Sequence, residues 1–362
     1  MFLYNQPFPW TYKNHLSFGY HKDSSGRVNK NMFFSKVGSV NRPASTVLEE
    51  AQIACKLIHK AAEKNGQEIF LCLSGGIDSE SMLRAFLFSA VPFHGVIMRF
   101  NDDLNDFDIK NIIQFCETNH MSYEVFDVDI FEFFESGKHL QYGKMYQCQS
   151  PQLAVHLYLC DHINGCPVFS WQAPEIFFKL DLKNKTKLVS FGVPGDLHLV
   201  YLRYFMKKER PGVPFFFLYT PELLKSFFQL PLLQKMIWLG YYKGFDVYPS
   251  YDIKCMAYKR AGFPVKPRKA PYTGFEKVKD HYDLLDKKSY GLAFNERYRI
   301  PLEILNPLPE KFYQIAPKNM FSDLEQIQKW EEMYEKQFFK SDFNPNLLFK
   351  EEMDEFYENK GL

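Results

Sequence analysis

Glu68-Ile69-Phe70-Leu71-Cys72-Leu73-Ser74-Gly75-Gly76-Ile77-Asp78-Ser79 is the stretch on which the reading of this chain turns. Its first six residues are a short, mostly apolar run, suited to a strand buried on both faces of a parallel sheet. Beyond it, Ser81 to Ala90 carries Met82, Leu83, Phe86 and Leu87 at helical spacing. The paired glycines therefore sit where a strand hands over to a helix. Glycines there let backbone N–H groups converge on an oxyanion with no Cβ in the way, and the helix adds the positive end of its dipole. Ser74 and Ser79 add hydroxyls. Asp78 would repel a bare phosphate, so its presence predicts a bound Mg²⁺ bridging carboxylate and phosphate oxygens. A purely structural Gly-Gly turn is the competing reading. Five fixed residues recur by chance in a chain of this length about once in ten thousand, and the strand-turn-helix context favours the anion site.

The pattern continues outward from this turn. Upstream, Thr46 and Glu49 form a capping box for a helix over 47–64, ended by Asn65-Gly66. Downstream, Phe93 to Phe100 reads as a strand, Asp106 to Asn119 as a helix and Met121 to Val128 as a strand. Ser150-Pro151 starts a helix reaching about Ile163, and Pro167 to Trp171 supplies a further strand. Such alternation predicts an α/β fold, a doubly wound parallel sheet of about five strands. Residues 1–44 read as a β-rich extension, 45–205 as the nucleotide-binding α/β domain and 206–362 as a mainly helical substrate or interaction region. Beyond about residue 175 the pattern loosens. Lys187–Phe191 fits a strand, Leu197–Lys208 fits strand or helix, and Leu223–Leu239 looks helical but is interrupted by Pro231. Ser322 and Glu325 cap an amphipathic helix, and the acidic tail after Phe349 reads as a short peripheral helix.

Composition narrows the function classes. The chain has 362 residues, 46% hydrophobic and 17% aromatic, enough apolar area for a large core without disulfides. A net charge of +1 gives no global field toward nucleic acid or membrane. Charge is nevertheless segregated. Asp102 to Glu135 is acidic, with Lys110 its only Lys or Arg, while Lys254 to Lys279 carries Lys254, Lys259, Arg260, Lys266, Arg268, Lys269, Lys277 and Lys279. That basic stretch reads equally as a solvated face or as a phosphate-binding element. Seven cysteines, an odd number with no CxxC, read as buried free thiols of a cytoplasmic protein. No leader or membrane span is visible. His156 and Cys160, four apart on a helix, have apolar neighbours that favour core packing over zinc.

Ser74-Gly75-Gly76-Ile77-Asp78-Ser79 resembles the SGGxDS signature of the PP-loop ATP pyrophosphatases, or adenine nucleotide alpha hydrolases. That family includes asparagine, GMP and NAD synthetases, tRNA lysidine synthetase and 7-cyano-7-deazaguanine synthase. The resemblance is specific over 68–90 and holds as topology through 175. A Walker A loop is excluded because its Lys-Ser/Thr ending is missing, and the turn is not a GxGxxG. The resemblance implies ATP and Mg²⁺ as cofactors, cleavage between the α and β phosphates, adenylation of a substrate oxygen and displacement of AMP by a nucleophile. In that picture Ser74, Gly75, Gly76, Ile77 and Ser79 hold the phosphates and Asp78 the metal. Arg99, Phe100 and Asn101 would line the adenine and ribose pocket.

Other residues are candidates by the same resemblance. Relatives place an acidic residue after the fourth strand, where Glu175 stands, although their glycines are missing here; a surface glutamate is an equal reading. They also bring a late Lys or Arg to the leaving pyrophosphate, whose growing charge needs a cation; Lys266, Arg268 and Lys269 are the candidates, with Lys277 next. The leading expectation is an AMP-forming ligase acting on a carboxylate or carbonyl oxygen of a small-molecule or nucleobase acceptor. Phe2 stands where an amide-transfer module would expose a cysteine, so the nitrogen would come from ammonia, an amine or a partner protein. Sulfur transfer to a nucleic-acid base ranks lower for want of a CxxC. A nucleotide-binding protein without turnover is the third reading.

Overall fold

The computed structural model describes residues 6–7, 11–22, 24–148, 150–170, 176–181, 186–191, 199–233, 251–265, 274–275, 277–278 and 311–315. Glu175, Lys266, Arg268 and Lys269 lie outside them, as do the expected helices after Ser322 and Phe349.

At the centre is a parallel sheet made of β4 (Ile69–Leu73), β5 (His94–Phe100), β6 (Tyr123–Val128) and β7 (Cys166–Phe169), in the order β6-β5-β4-β7. Every pairing in it is parallel. Helix α2 (Ile77–Ser89) joins β4 to β5, and α3 (Asp106–Thr118) joins β5 to β6. The chain then returns past β4 through α4 (Ile130–Glu135), α5 (Lys138–Tyr146) and α6 (Pro151–His162). This is the doubly wound α/β architecture, and its direction reverses between β4 and β7. Where about five strands are expected, four form among the described residues. The outer flank of β7 carries only a parallel bridge to Val213, with Phe169 N–H donating to the Val213 carbonyl at 2.7 Å and Val213 N–H to Pro167 at 2.8 Å.

The strand period of two sorts the core into layers. Phe70 and Cys72 point to the face where Leu159 of α6 and Ile163, just past its end, pack together with Val96. Ile69, Leu71 and Leu73 point to the opposite face, into the main core with Ala51, Ala54, Met82 and Phe86. Local signals set the boundaries. In α1 (Val47–Lys64) the Thr46–Glu49 capping box is formed in both directions, and Gly66 closes the exit at φ +63°. In α6 the Ser150 hydroxyl accepts from Leu153 N–H at 3.2 Å, with Pro151 in the first turn. All seven cysteines are buried and free.

A second sheet has the order β1-β2-β3-β10, from β1 (Gln6–Pro7), β2 (Leu16–Lys22), β3 (Val28–Val37) and β10 (Lys311–Ile315). The last strand comes from the region expected to be mainly helical and runs parallel to β3, Tyr313 opposite Phe34. Strands β8 (Ile176–Asp181) and β9 (Thr186–Phe191) form a separate antiparallel pair, and Leu199–Lys208 is a helix, α7. Residues after 205 continue in the same core: Phe216 packs on Phe86 with ring centroids 5.6 Å apart. They also hold the N-terminal segment, through Tyr12 N–H to the Tyr219 carbonyl at 2.9 Å and Asn41 N–H to Glu222 at 2.9 Å. Glu222 belongs to α8 (Pro221–Phe228).

Two histidines make this packing sensitive to acid. His15 hydrogen-bonds the Leu218 carbonyl at 2.7 Å, and His156 the Tyr201 hydroxyl at 2.9 Å. Burial lowers each pKa from 6.5 to about 4. The unfolded chain therefore binds more protons between those values. The stability each histidine contributes is fully present above pH 6.5 and is lost as pH falls toward 4. The loss is up to roughly 3 kcal/mol per histidine. Urea midpoints measured across that range should fall with acidity, and His156→Gln should flatten the slope; a midpoint unchanged down to pH 4 would contradict the assignment.

Candidate functional site

The glycine turn follows β4 at the carboxyl edge of the sheet, beside the point where strand order reverses. Open α/β sheets bind ligands in that crevice. Leu73 ends the strand buried, Ser74 is exposed, and Gly75 turns the chain at φ +78°. Gly76, in extended conformation at φ −70° and ψ 161°, is the N-cap of α2.

The two glycines do different work. A Cβ on Gly75 would lie 1.8 Å from the carbonyl oxygen of Asp108, in the first turn of α3, so this glycine is required by packing as well as by its φ. Among the described residues, a Cβ on Gly76 would meet only the Ser74 hydroxyl, at 3.6 Å. Gly76 is exposed and its backbone angles suit any residue. The fold asks for the first glycine but not for the second. Ser79 is 1% exposed and closes the turn from inside, donating to the Gly76 carbonyl at 2.9 Å while the Ser74 hydroxyl donates to it at 3.3 Å. Ile77 anchors the first turn of α2 in the core at 2% exposure.

Asp78, in that first turn, is held from far along the chain. Helix α9 (Tyr251–Arg260) brings Lys254 and Tyr258, one turn apart, to its carboxylate. The Lys254 ammonium donates to Oδ2 at 2.9 Å, and the Tyr258 hydroxyl to Oδ1 at 2.5 Å. The Asp78 and Lys254 side chains retain 21% and 15% of their exposure. Tyr258 is fully buried among Phe217, Phe227 and Phe263, its ring 5.4, 6.0 and 6.0 Å from theirs. Neither residue was singled out as a site candidate on sequence, although Lys254 heads the basic stretch noted there.

Asp78, the residue expected to hold Mg²⁺, shares its carboxylate with Lys254 and Tyr258 in this arrangement. Mg²⁺ needs oxygen ligands at about 2.0–2.1 Å in near-octahedral order. Each Asp78 oxygen already accepts a hydrogen bond. Among the described residues, no three His, Cys, Asp or Glu side chains gather as a metal site.

Arg99, Phe100 and Asn101 stand at the end of β5, the strand next to β4. Arg99 makes a two-point ion pair with Asp127, at 2.6 and 3.0 Å. Phe100 is 2% exposed and meets Phe275 edge-on, ring centroids 5.3 Å apart. The Asn101 side-chain carbonyl accepts from Ile130 N–H at 3.0 Å. Close by, Asn105 ties strand to helix, accepting from Phe100 N–H at 2.8 Å and donating to the Met98 carbonyl at 2.9 Å. Gly274, at φ +87°, lets the late segment pass Asn105, where a Cβ would come within 2.7 Å. Gly274 and Phe275 of the basic stretch thus meet Asn105 and Phe100 at the end of β5.

No family model matches the chain, and no curated protein does. Among solved structures it is similar to an NMN synthetase from Francisella tularensis, at 17% identity and a TM-score of 0.27, over 36% of this chain and 56% of that one. It is similar to the NH3-dependent NAD synthetase of Campylobacter jejuni at 10% identity and 0.30, over 62% of this chain and 100% of that one. For the glutamine-dependent NAD+ synthetase of Acinetobacter baumannii the values are 15% and 0.27, over 77% and 53%. The chain therefore spans about half the length of the first and third. Among the described residues, no helix is long and apolar enough to cross a membrane.

Proposed function

We propose that the glycine turn binds the phosphates of ATP and that the chain is an AMP-forming ATP pyrophosphatase. The observation that carries this reading is Gly76. It is exposed at the N-terminus of α2, beside the strand-order reversal, and among the described residues only the Ser74 hydroxyl comes within 4 Å of a Cβ added there. Phosphate bound there would meet backbone amides and the positive end of α2.

The chemistry follows the class that the turn resembles. An oxygen of the acceptor, a carboxylate or a carbonyl, attacks the α phosphorus. The bond to the bridging oxygen breaks, its electron pair leaves with pyrophosphate, and an acyl or imidyl adenylate remains. An amine or ammonia then displaces AMP. This chain's residues would hold the phosphates through Ser74 and the backbone of Gly75 and Gly76, and would offset the leaving charge through a late cation. Lys254 is a described cation held at the turn by its bond to Asp78. Magnesium would arrive with the nucleotide, as part of the substrate. Glu175, Lys266, Arg268 and Lys269 keep their proposed parts, and the acceptor is a small molecule or nucleobase. A second reading, nucleotide binding without turnover, is favoured by the engagement of Asp78 with protein groups.

Incubation with Mg-ATP and candidate acceptors separates these readings. AMP and pyrophosphate support the first, bound but intact ATP the second, and ADP contradicts the first. Gly76→Val gives a sharper check on the site. Its backbone angles suit valine, so stability should fall by no more than about 1 kcal/mol, the scale of a changed N-cap. ATP binding should weaken by about a hundredfold, because the added methyls cover the approach to the backbone. A variant that folds and binds ATP as the parent does would remove the phosphates from this turn.

A further inference from the structure

We infer that Asn105 is a positioning residue of the glycine turn: its side-chain amide takes over the ladder of β5 where β4 leaves the sheet, and so seats the first turn of α3 against Gly75. Its bearing on ligands rests on the reading of the turn as a phosphate site.

β4 and β5 pair in register as far as Leu73 and Ile97. Beyond Leu73 the chain turns away at Gly75, while β5 runs on to Phe100. Backbone polar groups of successive residues point to opposite sides of a strand. Gly95 N–H donates to the Ser122 carbonyl at 3.0 Å, just before β6, so Met98 and Phe100 direct their groups to the side of β4. A further residue of β4 would donate to Met98 and accept from Phe100. The Asn105 side chain does both: Nδ2 donates to the Met98 carbonyl at 2.9 Å, and Oδ1 accepts from Phe100 N–H at 2.8 Å. A carboxylate could supply only the acceptor. Asparagine is a favoured N-cap, and Asn105 stands at the N-cap of α3, yet its side chain makes no cap bond there. Its backbone carbonyl starts the helix, accepting from Asp108 N–H at 3.0 Å and Ile109 N–H at 3.2 Å. One residue therefore fixes the entry of α3 to the end of β5. The carbonyl oxygen of Asp108 lies 1.8 Å from where a Gly75 Cβ would stand, close enough to touch the Gly75 Cα itself. The next amide along, that of Gly76 at the N-cap of α2, is one that a bound phosphate would use. Burial holds the support in place: Asn105 is 7% exposed, and Gly274 crosses it so closely that a Cβ there would come within 2.7 Å of the Asn105 Cβ.

Nuclear magnetic resonance can read the turn directly. Gly75-Gly76 is the one Gly-Gly step in the chain. Labelling glycine alone, with ¹³C at the carbonyl and ¹⁵N, therefore leaves Gly76 as the only amide coupled to a labelled preceding carbonyl. Asn105→Asp, ionised, keeps the size and the bond from Phe100 N–H but sets an acceptor against the Met98 carbonyl. Asn105→Ala removes both bonds. Cys116→Ala, at the far, buried end of α3, is the control for general loosening of that helix. In the full chain without ligand, the Gly76 amide resonance is expected to move or broaden in both Asn105 variants and to stay in place in Cys116→Ala. Calorimetric titration with Mg-ATP, below each variant's melting transition, gives the second readout. Affinity should weaken by about ten- to a hundredfold in the Asn105 variants, the scale of a disturbed support around a site, and should match the parent's in the control. If Asn105→Ala does not fold, the isosteric Asn105→Asp carries both readouts. An unmoved Gly76 resonance in a folded Asn105 variant, or an equal loss of affinity in the control, would overturn the inference. A parent that binds neither ATP nor pyrophosphate, with the Gly76 resonance still moving in the variants, would overturn the phosphate reading and leave Asn105 as the support of the turn.

Discussion

Gly75→Ala is expected to cost about 2–5 kcal/mol and to disorganise the glycine turn. Two independent terms add. A side chain at φ +78° is in the left-handed region, which costs a non-glycine residue about 1–2 kcal/mol. The new methyl would also sit 1.8 Å from the Asp108 carbonyl oxygen and 3.3 Å from the Ile109 Cα. Those atoms are backbone in α3 and cannot rotate away, so the relief must come from moving helix against strand, an overpacking cost of about 1–3 kcal/mol. A protein of ordinary stability has about 5–15 kcal/mol in hand, so the variant should fold only marginally. Urea denaturation compared with Gly76→Val makes the check, because the two positions are neighbours with opposite demands. Equal stability losses at both would mean that the turn is packed otherwise than described.

Arg210→Ala should cost about 3–5 kcal/mol, for a different reason. The Arg210 guanidinium donates to the carbonyls of Cys160 at 2.8 Å, Ile163 at 2.8 Å and Gly165 at 2.6 Å. Those three carbonyls span the end of α6 and the entry to β7. A helix leaves its last carbonyls without intrahelical donors, and a cation there also meets the negative end of the dipole. Hydrogen bonds from a charged donor are worth about 1.5–3 kcal/mol each, and carbonyls stripped of it in a part-buried site lose more than the bonds alone. Arg210→Lys should recover less than half of the loss, since one ammonium cannot span the three acceptors that the planar fork reaches. A drop in melting temperature of about 10 °C is the expected scale for the alanine variant. A drop of a degree or two would show that another group satisfies these carbonyls.

Near the glycine turn, sequence and structure agree where interactions are local. The apolar run before Ser74, the helical spacing from Ser81, the Thr46–Glu49 box and the Ser150-Pro151 start each depend on residues within about one helical turn of one another, and each is seen, the helix at Ser81 beginning earlier than read, at Ile77. The site itself was half legible. The turn and its place after a sheet strand follow from strand-turn-helix order; the exposure of Gly76 is seen only in the structure. The partner of Asp78 does not. Eight cations lie between residues 254 and 279, and no spacing rule says which of them returns to the turn.

Short-range chemistry in the chain determined the α/β alternation, the position of the turn and the helix caps, because backbone geometry, side-chain period and capping act over a few residues. Tertiary structure alone decided what crosses long separations. Lys254 and Tyr258 meet Asp78 across 176 and 180 residues, Val213 bridges to Val168 of β7, and Lys311–Ile315 joins the sheet begun by residues 6–37. Each of those contacts exists only once the core has fixed where distant elements lie. The aromatic packing around Tyr258 is the physical reason that a carboxylate which sequence assigns to magnesium is found holding an ammonium.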